Sequence, residues 1–132
     1  MRRPVFVLLL LGSVACMYPE MPAPILGEWG GEHLGLVASA AGADLEFDCA
    51  TGRTSEAIVP DAAGRFSVAG FHVPGHGGPI REDEEPVEIP ARFDGTVRGD
   101  LMTISVTLPS MALTLGPYVL QRGASPRVFK CL

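Results

Sequence analysis

Two histidines and an acidic run are the residues in this sequence whose types could together bind a metal ion. His72 and His76 lie four residues apart, a spacing that gathers two ligands on one face when a helix carries it. Here the interval contains Pro74 and Gly75, so no helix enforces that geometry. The acids from Glu82 to Glu85 could complete a mixed site, but a solvated acidic loop explains them more simply. We therefore predict no metal site and no cofactor.

A second candidate for chemistry is the neighbouring pair Glu32 and His33, which could act as acid and base. The sequence identifies no third group for this pair. The serines and threonines show no nucleophile-elbow pattern, and the glycines fall at turns rather than in a phosphate-binding loop. We therefore predict no catalytic residues.

The N-terminal residues are typical of a secretory leader. Arg2 and Arg3 precede an unbroken apolar run from Val5 to Leu11, and Ser13-Val14-Ala15 has the small side chains that a signal peptidase needs. The apolar run is too short to cross a bilayer as a stable helix. We predict a removable signal peptide over residues 1–15.

The residue after the predicted cleavage site is a cysteine. Val14-Ala15-Cys16 resembles the end of a bacterial lipobox, in which this cysteine carries lipid and becomes the mature N-terminus, although Ser13 stands where that pattern usually has an apolar residue. The resemblance implies that lipid on Cys16 anchors the chain to a membrane. The alternatives are cleavage before an unmodified cysteine and an uncleaved leader. The proline-rich residues 16–25 would form an extended tether.

Three cysteines are an odd number for an exported protein. If Cys16 carries lipid, Cys49 and Cys131 remain as a pair, and a disulfide between them is the default expectation in an oxidising compartment. Two buried free thiols are the alternative. The bond would close a loop of about 80 residues, for which the chain-entropy model gives roughly 4 kcal/mol.

Composition limits the fold and the partners of the chain that follows the leader. Ten basic residues in the whole chain become eight without the two leader arginines, and fifteen acidic residues oppose them, a formal charge of about −7. A phosphate backbone would repel such a surface, so we expect no nucleic-acid partner. The 16 glycines and 12 prolines disfavour long helices. The length suits one domain, which we place over residues 26–132.

Period-two alternation of apolar side chains predicts β-strands. It is sharpest from Asp44 to Cys49, where Leu45, Phe47 and Cys49 share one face and three acids take the other. Turn signals between the alternating segments divide the domain into eight predicted strands, 29–38, 44–49, 54–59, 65–71, 91–97, 102–108, 113–121 and 127–131.

Eight short strands joined mostly by tight turns predict an all-β antiparallel meander. Closing it into a barrel would hide its edges, and a two-sheet sandwich is the alternative. In the barrel Cys49 would point inward with Phe47, and Cys131 with Phe129, so the disulfide would join the last strand to the second. The segment 74–90 is too rich in Gly, Pro and charge for a strand, and its length is typical of a functional or disordered loop.

Gly27 and Trp29 stand at the start of the first predicted strand. Gly-x-Trp at this position resembles the lipocalin and avidin-like barrels, in which the tryptophan plugs the closed end beneath an arginine from a late strand. The resemblance implies a structural role for Trp29 together with Arg122 or Arg127. It also implies that a ligand would bind at the open end.

Three short motifs resemble an uncharacterised family of small exported bacterial proteins. They are Trp-Gly-Gly-x-His from Trp29, Asp-Cys-Ala-x-Gly from Asp48 and Gly-Gly-Pro-x-Arg from Gly77. This resemblance implies family membership and no activity.

The whole sequence predicts a non-catalytic exported protein of the bacterial cell envelope, anchored by lipid, that binds a small apolar ligand or an envelope protein. A periplasmic protease inhibitor acting through the extended segment from Tyr18 to Ile25 is the first alternative, and an enzyme of unknown type is the second. A soluble periplasmic or secreted location is the alternative to the membrane.

Overall fold

The structure, a computed structural model, describes residues 12–13, 15–16 and 21–132. The predicted signal peptide and residues 17–20 of the predicted tether therefore lie largely outside the described residues. Across the described part of the chain, no helix is long and apolar enough to cross a membrane.

Eight antiparallel strands form a meander that closes into a barrel. Each strand pairs with the next one along the chain, and the first pairs with the last. The predicted all-β barrel is confirmed, and the two-sheet sandwich is not formed. The strands are β1 (Gly27–Gly31), β2 (Leu34–Ser39), β3 (Gly42–Phe47), β4 (Ala50–Thr54), β5 (Arg65–Pro74), β6 (Ile89–Arg98), β7 (Leu101–Leu108) and β8 (Leu113–Arg122), with a 3₁₀ turn at Pro109–Met111 before β8.

Within the described residues, 18 buried hydrophobic side chains form one cluster in the interior of the barrel. Leu45 and Phe47 face it from β3, as the alternation in the sequence predicts. Phe93 of β6 and Ile104 and Val106 of β7 are fully buried. Burial of large apolar side chains supplies most of the driving force for folding, so these inward rows hold the barrel together.

The first predicted strand, 29–38, is wrong because the chain turns in its middle. Glu32 and His33 separate β1 from β2, and Gly31 pairs with Leu34 across this two-residue turn. His33 makes the turn with a positive φ of 69°. Two-residue turns usually have Gly or Asn at such a position, so the residue types here do not indicate the turn.

The third predicted strand, 54–59, is also wrong, because the fourth strand of the barrel forms earlier, at Ala50–Thr54. Gly52 has the appearance of a turn residue but lies within this strand. A side chain there would meet the rings of Phe47 and Phe93 at 3.1 and 3.5 Å, so a glycine suits the crowded interior. Residues 55–64 instead form the connection from β4 to β5.

The last predicted strand, 127–131, does not form. Its residues belong to a C-terminal tail (residues 123–132) that makes one isolated bridge, between Arg127 and Glu32. Because β1 and β8 pair with each other, the barrel closes without these residues. The predicted total of eight strands agrees with the structure because segment 29–38 forms two strands and segment 127–131 forms none.

The C-terminal tail packs on the outside of the barrel against a pair of glycines. Gly30 of β1 and Gly35 of β2 are partners in register. A side chain at Gly30 would lie 2.2 Å from the carbonyl oxygen of Ala124, and one at Gly35 would lie 2.8 Å from Pro126. The two missing side chains therefore make the space in which the tail lies.

Successive turns of an antiparallel meander alternate between the two ends of the barrel. The closed end is the end of the barrel that carries the turns at 40–41, 55–64 and 99–100. At this end the N–H of Ile25 donates a hydrogen bond of 2.9 Å to the carbonyl of Ile58. The open end carries the turns at 32–33 and 48–49, the 3₁₀ turn and the long loop (residues 75–88).

Candidate functional site

A cavity of about 630 Å³ lies at the open end, between the long loop and the C-terminal tail. Its volume falls in the range of roughly 300–1,000 Å³ that is typical of small-molecule sites. Phe47 is the one side chain of the buried core, among the described residues, that also lines it. The cavity therefore lies outside the interior of the barrel, and it is also lined by Glu46, Thr51 and Val73, which are neighbours in register on the outer face.

Three large apolar side chains on the walls of the cavity are exposed. Ile80 and Val87 of the long loop are 77% and 67% exposed, and Phe129 of the tail is 69% exposed. Exposed single apolar residues are common on proteins, but here three of them surround one concavity. Their arrangement suits the burial of an apolar molecule.

The tail wall is attached to the barrel by backbone hydrogen bonds along its length. The N–H of Arg127 donates to the carbonyl of Gly31 at 3.0 Å, and the N–H of His33 donates to the carbonyl of Arg127 at 2.8 Å. Further on, the N–H of Cys49 donates to the carbonyl of Phe129 at 2.9 Å. These bonds lead the tail from the β1–β2 turn to the β3–β4 turn and place Phe129 at the cavity.

A disulfide between Cys49 and Cys131 secures the end of the tail, with a Cα–Cα distance of 4.7 Å and a sequence separation of 82. The predicted pairing is confirmed, but the prediction of what it joins is wrong. Cys49 lies in the β3–β4 turn with a positive φ of 49°, and the bond ties this turn to the tail rather than strand to strand. Phe129, predicted to point inward, faces outward. Cys16 is exposed and outside any disulfide.

The loop wall is held from both sides. The N–H of Gly75 donates to the carbonyl of Cys49 at 2.7 Å, and the N–H of Gly78 donates to the carbonyl of Leu132 at 3.1 Å. At Gly77 a side chain would lie 2.2 Å from the same Leu132 carbonyl. The loop is therefore hydrogen-bonded to the tail and to the β3–β4 turn, and the disulfide holds that turn and the tail together.

The charged groups on the rim are mostly paired with each other. Lys130 of the tail forms an ion pair with Glu46 of β3. His76 Nε2 lies 2.7 Å from Glu84 Oε1, and its Nδ1 lies 2.9 Å from the Gly77 carbonyl. The carbonyl and the carboxylate raise the pKa of His76 above its usual value.

His72 and His76 do not come together as metal ligands. His72 is only 7% exposed and packs edge to face with Phe47, whereas His76 is on the exposed loop beside Glu84. Burial lowers the pKa of His72, because the charged imidazole would lose its hydration there. No three His, Cys, Asp or Glu side chains within the described residues are close enough to hold a metal ion.

His33 pairs with a different carboxylate from the one that the sequence suggests. Its Nδ1 lies 2.5 Å from Asp48 Oδ2, while Glu32 forms an ion pair of 3.2 Å with Arg127. Asp48 Oδ1 accepts a bond of 2.8 Å from the N–H of Phe129, and this bond is the main cause that lowers the pKa of Asp48. The cluster joins two turns to the tail. Its contacts within the described residues include no nucleophile, so they assign no catalytic step.

At the closed end, Trp29 lies in the core with 1% exposure, and the Arg122 guanidinium is 4.3 Å above its ring. Arg122 Nε also donates to Asp100 Oδ1 at 3.0 Å. Of the two arginines that the sequence offered, Arg122 is the one beside the ring, and Arg127 lies at the other end. Gly27, with a positive φ of 91°, begins β1 here.

Comparisons with protein-family models, with curated proteins and with solved structures found no match. The resemblances described from short motifs stay predictions.

The predicted site residues lie at both ends of the barrel. Cys49 and Cys131 line the cavity, at the open end that the lipocalin-like resemblance implied, but the sequence did not identify the apolar walls. Ile80 and Val87 lie in the 74–90 segment, where glycines, prolines and charged residues outnumber them and predict a loop. One signal was available: large apolar side chains are unusual in such a loop and indicate something for them to cover.

Proposed function

We propose that this protein is a non-catalytic, exported envelope protein that holds a small apolar ligand in the cavity at its open end. The observation that carries the proposal is the cavity itself, about 630 Å³ and walled by the exposed Ile80, Val87 and Phe129. An apolar molecule bound there would remove these side chains from water, which stabilises the complex in proportion to the area buried.

The proposal places the protein in the bacterial cell envelope, anchored by lipid on Cys16. The tether would join the barrel near Ile25, which is at the closed end. The cavity is at the opposite end, so the anchor would leave its opening unobstructed. Conversion of Cys16 to Ser should release the protein from the membrane fraction, and retention of the variant there would contradict the anchor.

Ligand binding is tested with a neutral naphthylamine dye whose fluorescence rises in apolar surroundings. The native protein should bind it saturably, and the double variant Ile80→Ser/Val87→Ser should bind it at least tenfold more weakly. The matched control is Val37→Ser/Val119→Ser, because both valines are exposed on the outer surface of the barrel away from the cavity. Equal loss in both double variants, or no saturable binding by the native protein, would contradict the proposal.

The protease-inhibitor alternative remains a prediction. Of the segment from Tyr18 to Ile25, only the last five residues are described, and Ile25 is buried in the core. A truncation that tests inhibition must therefore stop at Pro24, so that the barrel keeps Ile25.

A further inference from the structure

The charged groups around the cavity give a basis for inferring the charge of its ligand. Three glutamates line it, Glu46, Glu84 and Glu85, together with two basic side chains, Lys130 and His76. Both basic side chains are engaged by two of these glutamates, Lys130 by Glu46 and His76 by Glu84. Glu85 makes no ion pair within the described part of the chain and leaves a net negative charge on the rim.

The surroundings of the rim add to that negative charge. Glu82 and Asp83 precede the two lining glutamates in the long loop and are exposed. Arg81 is the nearest basic residue in the chain, and it lines an adjoining surface pocket of about 420 Å³ that shares His76 and Glu84 with the cavity. A positive charge on Arg81 offsets only one of the two acids Glu82 and Asp83, so the rim keeps its net negative charge.

We propose that the cavity binds a small cationic amphiphile, a molecule with an apolar body and a single ammonium or similar positive group. Its apolar body lies against Ile80, Val87 and Phe129, and its positive group lies at the rim beside Glu85. The charge of the ligand rests on the proposed function, since it concerns the same cavity. An anionic amphiphile of equal length would bring like charges together and bind more weakly.

Two probes of equal chain length test the charge directly. Decyltrimethylammonium and decyl sulfate, both below their micelle-forming concentrations, are titrated against the bound naphthylamine dye. The cation should displace the dye at a concentration at least tenfold lower than the anion. Raising the salt concentration should shrink this difference, because rim charges are exposed and are screened by salt. Equal displacement by the two probes, or preference for the anion, would overturn the inference.

Glu85→Gln removes the unpaired charge without breaking an ion pair. It should weaken binding of decyltrimethylammonium by roughly two- to fivefold, the upper value being that of one charge pair at contact distance in water. Glu28→Gln is the matched control, because Glu28 is an exposed acid on β1 that does not line the cavity. Equal effects of the two variants would also overturn the inference. In either case, dye binding that still depends on Ile80 and Val87 would leave the proposed function standing.

Discussion

At the closed end of the barrel, a buried tryptophan lies beneath an arginine and the neighbouring apolar side chains face the core, whereas at the open end large apolar side chains surround a cavity. The closed end is held by packing of Trp29, Ile25 and Ile58. The open end is held by backbone hydrogen bonds and one disulfide between a turn and the tail. The closed end is therefore stabilised by core packing, whereas the proposed ligand site is at the end that depends on the disulfide and the tail.

The two ends share one feature, a buried side-chain nitrogen without a hydrogen-bond partner in the described residues. At the closed end it is Trp29 Nε1, and near the open end it is His72 Nδ1. An unpaired buried polar group is costly. The tryptophan keeps one charge state, but the histidine titrates, so only the open end should respond to mild acid.

The largest expected effect on stability is at the closed end. Trp29→Ala should lower the free energy of unfolding by about 3–5 kcal/mol, because it removes a fully buried ring and leaves a cavity. Urea-induced unfolding measures the loss. Dye affinity should be unchanged in the fraction that stays folded, and a variant that is stable but binds the dye poorly would break the separation of the two ends.

The next effect concerns the disulfide at the open end. Cys49→Ala/Cys131→Ala should lower the free energy of unfolding by about 2–4 kcal/mol. Unlike the Trp29 variant, it should also weaken dye binding in the folded protein, since Phe129 and the loop contacts depend on the position of the tail. Cys16→Ser is the control and should leave both quantities unchanged, because Cys16 is exposed and outside the disulfide. Native-like dye affinity without the disulfide would show that the tail does not form a wall of the site.

The smallest effect is the response to acid. Because the pKa of His72 is lowered in the folded state, the unfolded chain binds a proton more readily below its ordinary value of 6.5. The free energy of unfolding therefore keeps its full value above pH 6.5 and falls as the pH drops below 6.5. His76 has the opposite sign, since its raised pKa favours the folded state at low pH, but its position on the exposed loop makes that contribution small.

His72→Leu should remove this dependence and make the protein more stable than the native form by about 1 kcal/mol at pH 5, because an unpaired polar group is replaced by an apolar one. Urea unfolding at pH 5 and pH 7.5 measures both slopes. His76→Gln, the control, should keep the fall in stability. If the His72 variant kept it as well, the acid response would have to come from another group.

The barrel was predictable because alternation is a local property of the chain. In β3 and β7 every second residue is apolar, and that pattern alone sets which face is buried. The turn at His33 and the strand at Gly52 were not predictable in the same way. One uses a non-glycine residue at positive φ, and the other places a glycine where two phenylalanine rings need space.

The walls of the cavity could not be predicted from the sequence for a different reason. It forms where the long loop meets a tail more than thirty residues further along the chain, and no local pattern reports such a meeting. The cysteine count predicted that Cys131 would be close to Cys49, but not that Phe129 would face outward beside it. A disulfide fixes which two residues meet and leaves open which surfaces they bring together.

The proposed function puts the ligand site at the open end, outside the core of the barrel. A crystal structure of the mature protein with decyltrimethylammonium bound tests it most directly. We expect the alkyl chain to lie between the long loop and the C-terminal tail, in contact with Ile80, Val87 and Phe129. An alkyl chain lodged in the interior beside Phe93 and Ile104, or a cavity that stays without ligand at saturating concentration, would contradict it.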